Sequence, residues 1–471
     1  MDSRFKCRTL NNILPRWCFS KNILIVAMLL LVMDIILIIL YKTDTLFTFF
    51  LTYAILMGIN KLTIKAPKIF LSFIYALVVG MALMMVFSNS VNIPKFLGMT
   101  DALNGGTDDA FFFIQSMLGT DNEAAAKLPT IRYDAYLPER MTVYSRILHY
   151  WGGILSPIVK VYPVDLLFLN IIFICLYNLE CILFCSKVTE EKRCVATIIP
   201  FLLFCPFMFS NGLVLVRDII VAWCFVAACN CILTWDIKFL ILPIICMVAL
   251  RPATIAEFAI MAWFMLLITD NFGMEEKNKR HLTFWILGLA AGFLVAFNNI
   301  PRIMMYISQV SDGIRISAKS LLADDSLLLR MYDYPILVRV PLMAFYFFIS
   351  PIFSVKAFFN NDVFVIREGV FGLFGLMNLV LLPRFINGFM YSFRLKKGKN
   401  MKYIAVLFII MMVFISQLST VIRHKTGFVF LYYTVASYGK YYKTKNSILI
   451  GNACCIVLTI YYILKTFISL L

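Results

Sequence analysis

A chain of 471 residues that is 62% hydrophobic and only 15% charged, with a mean hydropathy of +0.87, has no composition left for a separate water-soluble domain. The formal net charge of +17 does not indicate a nucleic-acid partner. The Lys and Arg residues fall in short loops between apolar runs, as the positive-inside bias of membrane proteins requires, and form no basic stripe on a soluble element.

Apolar stretches near the roughly 20 residues needed to span a bilayer recur from end to end. They predict an all-α polytopic membrane protein with about 12–14 transmembrane helices and one large external segment, residues 1–471 forming a single integral membrane domain. Arg4, Lys6, Arg8, Arg16 and Lys21 precede the first apolar run, Ile23 to Leu40. That run is long and no small-residue cleavage site follows it, so it reads as an uncleaved first span starting from the cytoplasm. A second span over 45–59 returns to Lys61, Lys65 and Lys68, and a third over 69–87 leads out again.

Residues 88–163 then form a long external segment with six Lys or Arg and seven Asp or Glu. Spans over 164–185 and 195–213 lead in and out, turning at Asn211-Gly212. Arg217-Asp218 therefore open the next span at the external face, which runs in to Trp235-Asp236-Ile237-Lys238. A short span over 239–250 rises to Arg251-Pro252, and 253–269 returns to Lys277, Lys279 and Arg280. Counted back from the C-terminus, 384–402 holds six Lys or Arg and no acid, so it reads as cytoplasmic. From there 403–421 rises to Arg423-His424-Lys425, 427–439 returns to Lys440, Lys443 and Lys445, and 447–470 leaves. The forward and backward counts differ by one crossing between 299 and 367, around a second long loop at 299–334.

A charge at mid-bilayer costs roughly 2.5–3.5 kcal/mol, so charges at the edges of apolar runs mark boundaries, protein interiors or wet cavities. Arg217, Asp218, Arg251, Arg423 and His424 all fall on the external side in this count. A guanidinium is always charged and forks onto phosphate oxygens, so Arg217, Arg251 and Arg423 are candidates to bind a pyrophosphate and stabilise it as a leaving group. Each would otherwise snorkel to lipid headgroups or pair locally.

Gly105-Gly106-Thr107-Asp108-Asp109 ahead of an aromatic run places two carboxylates early in the external segment. Asp108 and Asp109 read either as acceptors for a sugar hydroxyl proton or as helix caps. Arg132, Arg140 and Arg146 add positive charge to that segment. His149 lies in an aromatic and basic stretch, 144–151, that reads as a belt at the membrane interface. His424, flanked by two cations, reads as a neutral base or as a solvated surface residue. Asp34, within the first span, calls for a partner or a wet neighbour.

The thirteen cysteines mostly lie in apolar stretches, with no CxxC pair and no metal-ligand spacing. Nucleotide and hydrolase motifs are absent, so no cofactor is expected and the energy of any transfer must arrive with the substrate.

Val214-Leu215-Val216-Arg217-Asp218 downstream of Pro206, then Leu250-Arg251-Pro252, then Thr420-Val421-Ile422-Arg423-His424-Lys425-Thr426-Gly427-Phe428 resemble three short stretches of bacterial O-antigen and capsular polysaccharide repeat-unit polymerases. The last stretch departs from the pattern at Gly427, where proline is expected. The chain is similar also to multi-span glycosyltransferases that use polyprenyl-phosphate sugars, which often carry an early external acidic pair. The resemblance implies metal-independent transfer of a growing glycan on undecaprenyl pyrophosphate to a new lipid-linked repeat unit, at the outer face of the bacterial cytoplasmic (inner) membrane. In it Arg217, Arg251 and Arg423 would bind pyrophosphate, and an acid or His424 would activate the acceptor hydroxyl. The partners expected are the lipid-linked oligosaccharide, membrane lipids and a chain-length regulator. Two other readings stay open: a lipid-phosphate-sugar glycosyltransferase with Asp108 or Asp109 as base, and a lipid-linked oligosaccharide flippase or transporter.

Overall fold

The computed structural model describes scattered residues between 25 and 39 and then 45–63, 143–161, 163–189, 191–203, 205, 217–251, 254–270, 331, 334–350, 363–394, 399–418 and 422–470. Among these residues all regular structure is helical. In chain order the helices are α1 (Thr45–Thr63), α2 (Val143–Leu155), α3 (Pro163–Thr189), α4 (Lys192–Leu203), α5 (Asp218–Thr234), α6 (Ile237–Leu250) and α7 (Thr254–Asp270). After these come α8 (Ile336–Ile349), α9 (Val363–Arg394), α10 (Lys399–Leu418), a 3-10 turn (Ile422–Gly427), α11 (Val429–Gly439) and α12 (Lys445–Leu470). Among the described residues three helical stretches are long and apolar enough to cross a membrane: Asp165–Thr189, Asn400–Gln417 and Lys445–Leu464.

The bundle is organised around α11. All eleven of its residues are buried, because α3, α4, α9 and α10 pack around it. A helix apolar on every side is stable only when enclosed in this way. The closest approach is between α9 and α11, at Gly388 and Gly439. A Cβ on Gly388 would lie 2.5 Å from the Val435 carbonyl oxygen, and one on Gly439 would overlap the Arg384 carbonyl. Two glycines facing each other let the backbones meet, the small-residue device common in membrane bundles. Aromatic rings fill the space beside this crossing. Phe385 stacks on Tyr432 at 5.0 Å, and Tyr432 donates its hydroxyl to the Asn378 carbonyl at 2.6 Å.

Two stretches read from the sequence take a defined form in the structure. Residues 384–394, read as cytoplasmic from their basic character, continue α9 to Arg394. Arg384 sits over the Phe201 ring at 5.7 Å, so its charge is held against α4 within the bundle. The aromatic stretch assigned to an interfacial belt forms α2. Tyr144, Leu148, Trp151 and Leu155 are buried, while Tyr150 is 66% exposed and Ile154 is 61% exposed. Tyr144 donates to Asn170 Oδ1 at 3.0 Å and Trp151 Nε1 to the Asp165 carbonyl at 3.1 Å. These two bonds lay α2 antiparallel along the first two turns of α3. The last part of the 88–163 segment is therefore a two-faced helix docked on the bundle, with an apolar face turned outward.

Candidate functional site

The geometry of the site begins with a tight turn. Trp235 adopts a left-handed conformation (φ 56°) and its N–H bonds to the Cys231 and Ile232 carbonyls, which ends α5. The chain starts α6 two residues later. A connection this short makes α5 and α6 antiparallel neighbours, so the start of α5 and the end of α6 lie at one end of the bundle. There Arg217 donates from Nη1 to the Leu250 carbonyl at 2.8 Å. Arg251 donates from Nη1 to Asp218 Oδ1 at 3.0 Å, an ion pair with side-chain exposures of 23% and 8%. The two bonds cross-link the same pair of helix ends in opposite senses.

The next helix adds to this cluster. Thr254 donates both its N–H, at 3.0 Å, and its hydroxyl, at 2.6 Å, to the Arg251 carbonyl, which fixes the start of α7 beside the guanidinium. Glu257, one turn into α7, interacts electrostatically with Arg251 and with Asp218. Four charged side chains from three consecutive helices thus share one end of the bundle: Arg217, Asp218, Arg251 and Glu257. These anchors orient the plane of each guanidinium without altering its charge.

The turn carrying Arg423, His424 and Lys425 lies deeper. The sequence reading places it in water at a helix end, level with Arg217 and Arg251. In the structure it is sunk into the bundle. A Cβ on Gly427 would lie 3.1 Å from the Phe225 ring, and Phe225 is two turns along α5 from Asp218, about 10 Å at 1.5 Å per residue. Tyr177, midway along α3, donates to the Thr426 carbonyl at 3.0 Å. The cause is the length of α11. Eleven residues span only about 16 Å, so the turn before it cannot reach the level of the α5 start. The backbone of Arg423 and His424 belongs to the 3-10 turn, and their side chains lie outside the described residues.

Lys425 is the clearest sign of this depth. It is 3% exposed, donates from Nζ to the Ser350 carbonyl and lies 4.6 Å from the centre of the Phe347 ring. It also lines a small cavity with Phe348, Asn378, Phe408, Met412 and Tyr432. Asn378 Oδ1 there is buried and has no hydrogen-bond partner among the described residues. Enclosing an amine is expensive, and an apolar side chain of similar length often serves stability as well or better. Lys425→Met is therefore expected to melt at or above the wild-type temperature when thermal unfolding is followed in detergent. A fall of more than a few degrees would show that the amine stabilises the fold outright.

Of the residues singled out from the sequence, Arg217, Asp218 and Arg251 are brought together. Asp108, Asp109, Arg132 and Arg140 lie outside the described residues. Glu257 was not anticipated. The available signal was Thr254-Ile255-Ala256-Glu257, a lone acid one turn after Arg251-Pro252 in an otherwise apolar run. The burial of Lys425 was also missed, because a basic triplet reads as surface. Among the described residues no three His, Cys, Asp or Glu side chains gather as around a metal ion. No family model, curated protein or solved structure matches the chain.

Proposed function

We propose that this chain is a polytopic membrane glycosyltransferase of the polysaccharide-polymerase type. It joins oligosaccharide repeat units carried on undecaprenyl pyrophosphate into O-antigen or capsular polysaccharide at the outer face of the bacterial inner membrane. The observation that carries this reading is the meeting of Arg217, Asp218 and Arg251 at one end of the α5–α6 hairpin. Two oriented guanidinium groups at such a site suit the diphosphate of a lipid carrier whose tail stays in the surrounding hydrocarbon. They act most strongly on the charge that develops as the bond to the anomeric carbon breaks.

On this reading the chain crosses the bilayer about 12–14 times, given about 20 apolar residues per span. Helices α5 and α6, with 17 and 14 residues, are shorter than the roughly 30 Å hydrocarbon core. Arg217 and Arg251 are then drawn below the headgroup level, where a carrier diphosphate sits. The 423–425 turn packs on α5 below them, and the exposed apolar face of α2 would lie in the membrane interface. The substrate is the lipid-linked oligosaccharide, and a regulator of chain length is the expected protein partner.

The test is deletion of the gene in its host, with the surface glycan resolved on a gel. The expected result is lipid cores capped with a single repeat unit, restored to long chains by the wild-type gene and left as single units by Arg423→Ala at normal protein level. An incomplete repeat in the deletion strain would indicate a transferase that builds the unit. Accumulation of carrier-linked sugar inside the cell would indicate a flippase. Reporter tags placing residues 217, 251 and 423 on different sides of the membrane would remove the site.

A further inference from the structure

We propose that Glu257 is the proton acceptor for the attacking sugar hydroxyl, an inference that rests on the glycosyltransferase reading above. The four-residue cluster contains two carboxylates, and they are held differently. Asp218 is 7% exposed and bound through Oδ1 to Arg251 at 3.0 Å. That oxygen already accepts a charge-assisted hydrogen bond, which ties the carboxylate to the helix ends. Glu257 projects from the first turn of the neighbouring helix, is partly buried, and interacts electrostatically with both Arg251 and Asp218.

The two hydrogen bonds from Thr254 to the Arg251 carbonyl tie the start of α7 to Arg251, and Glu257 follows three residues later in the same turn. Arg251 therefore has one carboxylate that fixes it and a second within its electrostatic reach. A diphosphate held by Arg217 and Arg251 would present its anomeric carbon next to the second one.

The step balances as follows. The hydroxyl oxygen of one repeat unit bonds to the anomeric carbon at the reducing end of the other. The bond from that carbon to the diphosphate oxygen breaks, and its electron pair leaves with the carrier diphosphate under the arginines. The hydroxyl proton passes to the Glu257 carboxylate, which later returns it to water. Without this role Glu257 would still complement the positive end of α7, and the test separates the two.

The full-length protein is reconstituted in lipid nanodiscs and given lipid-linked oligosaccharide extracted from a host strain lacking the gene. Chain extension is then followed against pH. Glu257→Gln, which keeps the shape of the side chain, is expected to lower kcat at least about a hundredfold, within the usual range for general base catalysis. KM should stay within about threefold, and the acid limb of the pH profile should disappear. Glu257→Asp should recover part of the rate and retain that limb. Glu257→Gln with near wild-type kcat and an intact acid limb would overturn the proposal. So would a variant whose only defect is failure to accumulate, since that is what a helix-end role produces. A wild-type protein that extends no chain on this lipid means the glycosyltransferase reading has failed, and the proposal falls with it.

Discussion

Arg251→Lys is expected, on the proposed glycosyltransferase reading, to abolish chain extension while leaving the protein in the membrane at close to wild-type amounts. Lysine keeps a positive charge opposite Asp218, so the mostly buried carboxylate is not stranded. It loses the planar fork, which can bind one carboxylate and still present donors to a second anion. Loss of one oriented donor at a developing anion lowers rate by about 10²–10³-fold, enough to leave single-repeat caps on the glycan gel. Arg251→Ala should behave differently. It leaves Asp218 without its guanidinium, at a cost of up to about 3 kcal/mol once the partial exposure of the pair is allowed for. Immunoblots should show less protein, and the second change Asp218→Asn should restore the amount without restoring long chains. Long chains from Arg251→Lys would mean that the charge suffices and the fork is irrelevant.

Gly439→Leu is expected to remove folded protein altogether. A Cβ at this position overlaps the Arg384 carbonyl and would also lie 2.9 Å from its carbon atom. Both are backbone atoms, so no side-chain rotation relieves the clash. Overpacking usually costs about 1–3 kcal/mol; separating α9 from α11 should exceed that range, because it also parts Phe385 from Tyr432. Gly388→Leu should fail in the same way through Val435. Gly153, where an added Cβ meets nothing within 4 Å, should accept alanine with no loss, which makes Gly153→Ala the matched control. Detergent-resistant protein measured by size-exclusion chromatography reports all three. A monodisperse Gly439→Leu peak of normal height would show that α9 and α11 do not meet in this way.

The parts of the site visible in the sequence were those where charge interrupts hydrophobicity at a helix end. Arg217-Asp218 and Arg251 stand out because the runs on either side are apolar, and the intervening Trp235-Asp236 is too short for anything but a hairpin. The same rule failed where a charge is absorbed by the interior. Arg384 opened a basic stretch read as cytoplasmic, but the Phe201 ring and the close approach of α11 hold it within the bundle. Lys425 looked like surface, but Ser350 and Phe347 enclose it. Glu257 went unremarked because one acid in an apolar run gives no periodic signal. Its meaning appears only when α7 is seen to start on the Arg251 carbonyl. The number of spans is harder to read for a related reason. Helices as short as α6 and α11 satisfy a hydropathy pattern without crossing about 30 Å of hydrocarbon.

The enclosure of α11 constrains how the protein is made. A stretch of eleven residues is too short to be held in lipid by its own hydrophobicity, which takes about 17–25 residues. It cannot partition from the insertion machinery as an independent unit. Its place exists only once α3, α4, α9 and α10 are assembled, and all four precede it during synthesis. On the polytopic reading, biogenesis should therefore finish with α11 entering a finished socket as α12 emerges behind it. Nascent chains halted before residue 445 should be sensitive to membrane proteases, and full-length chains resistant.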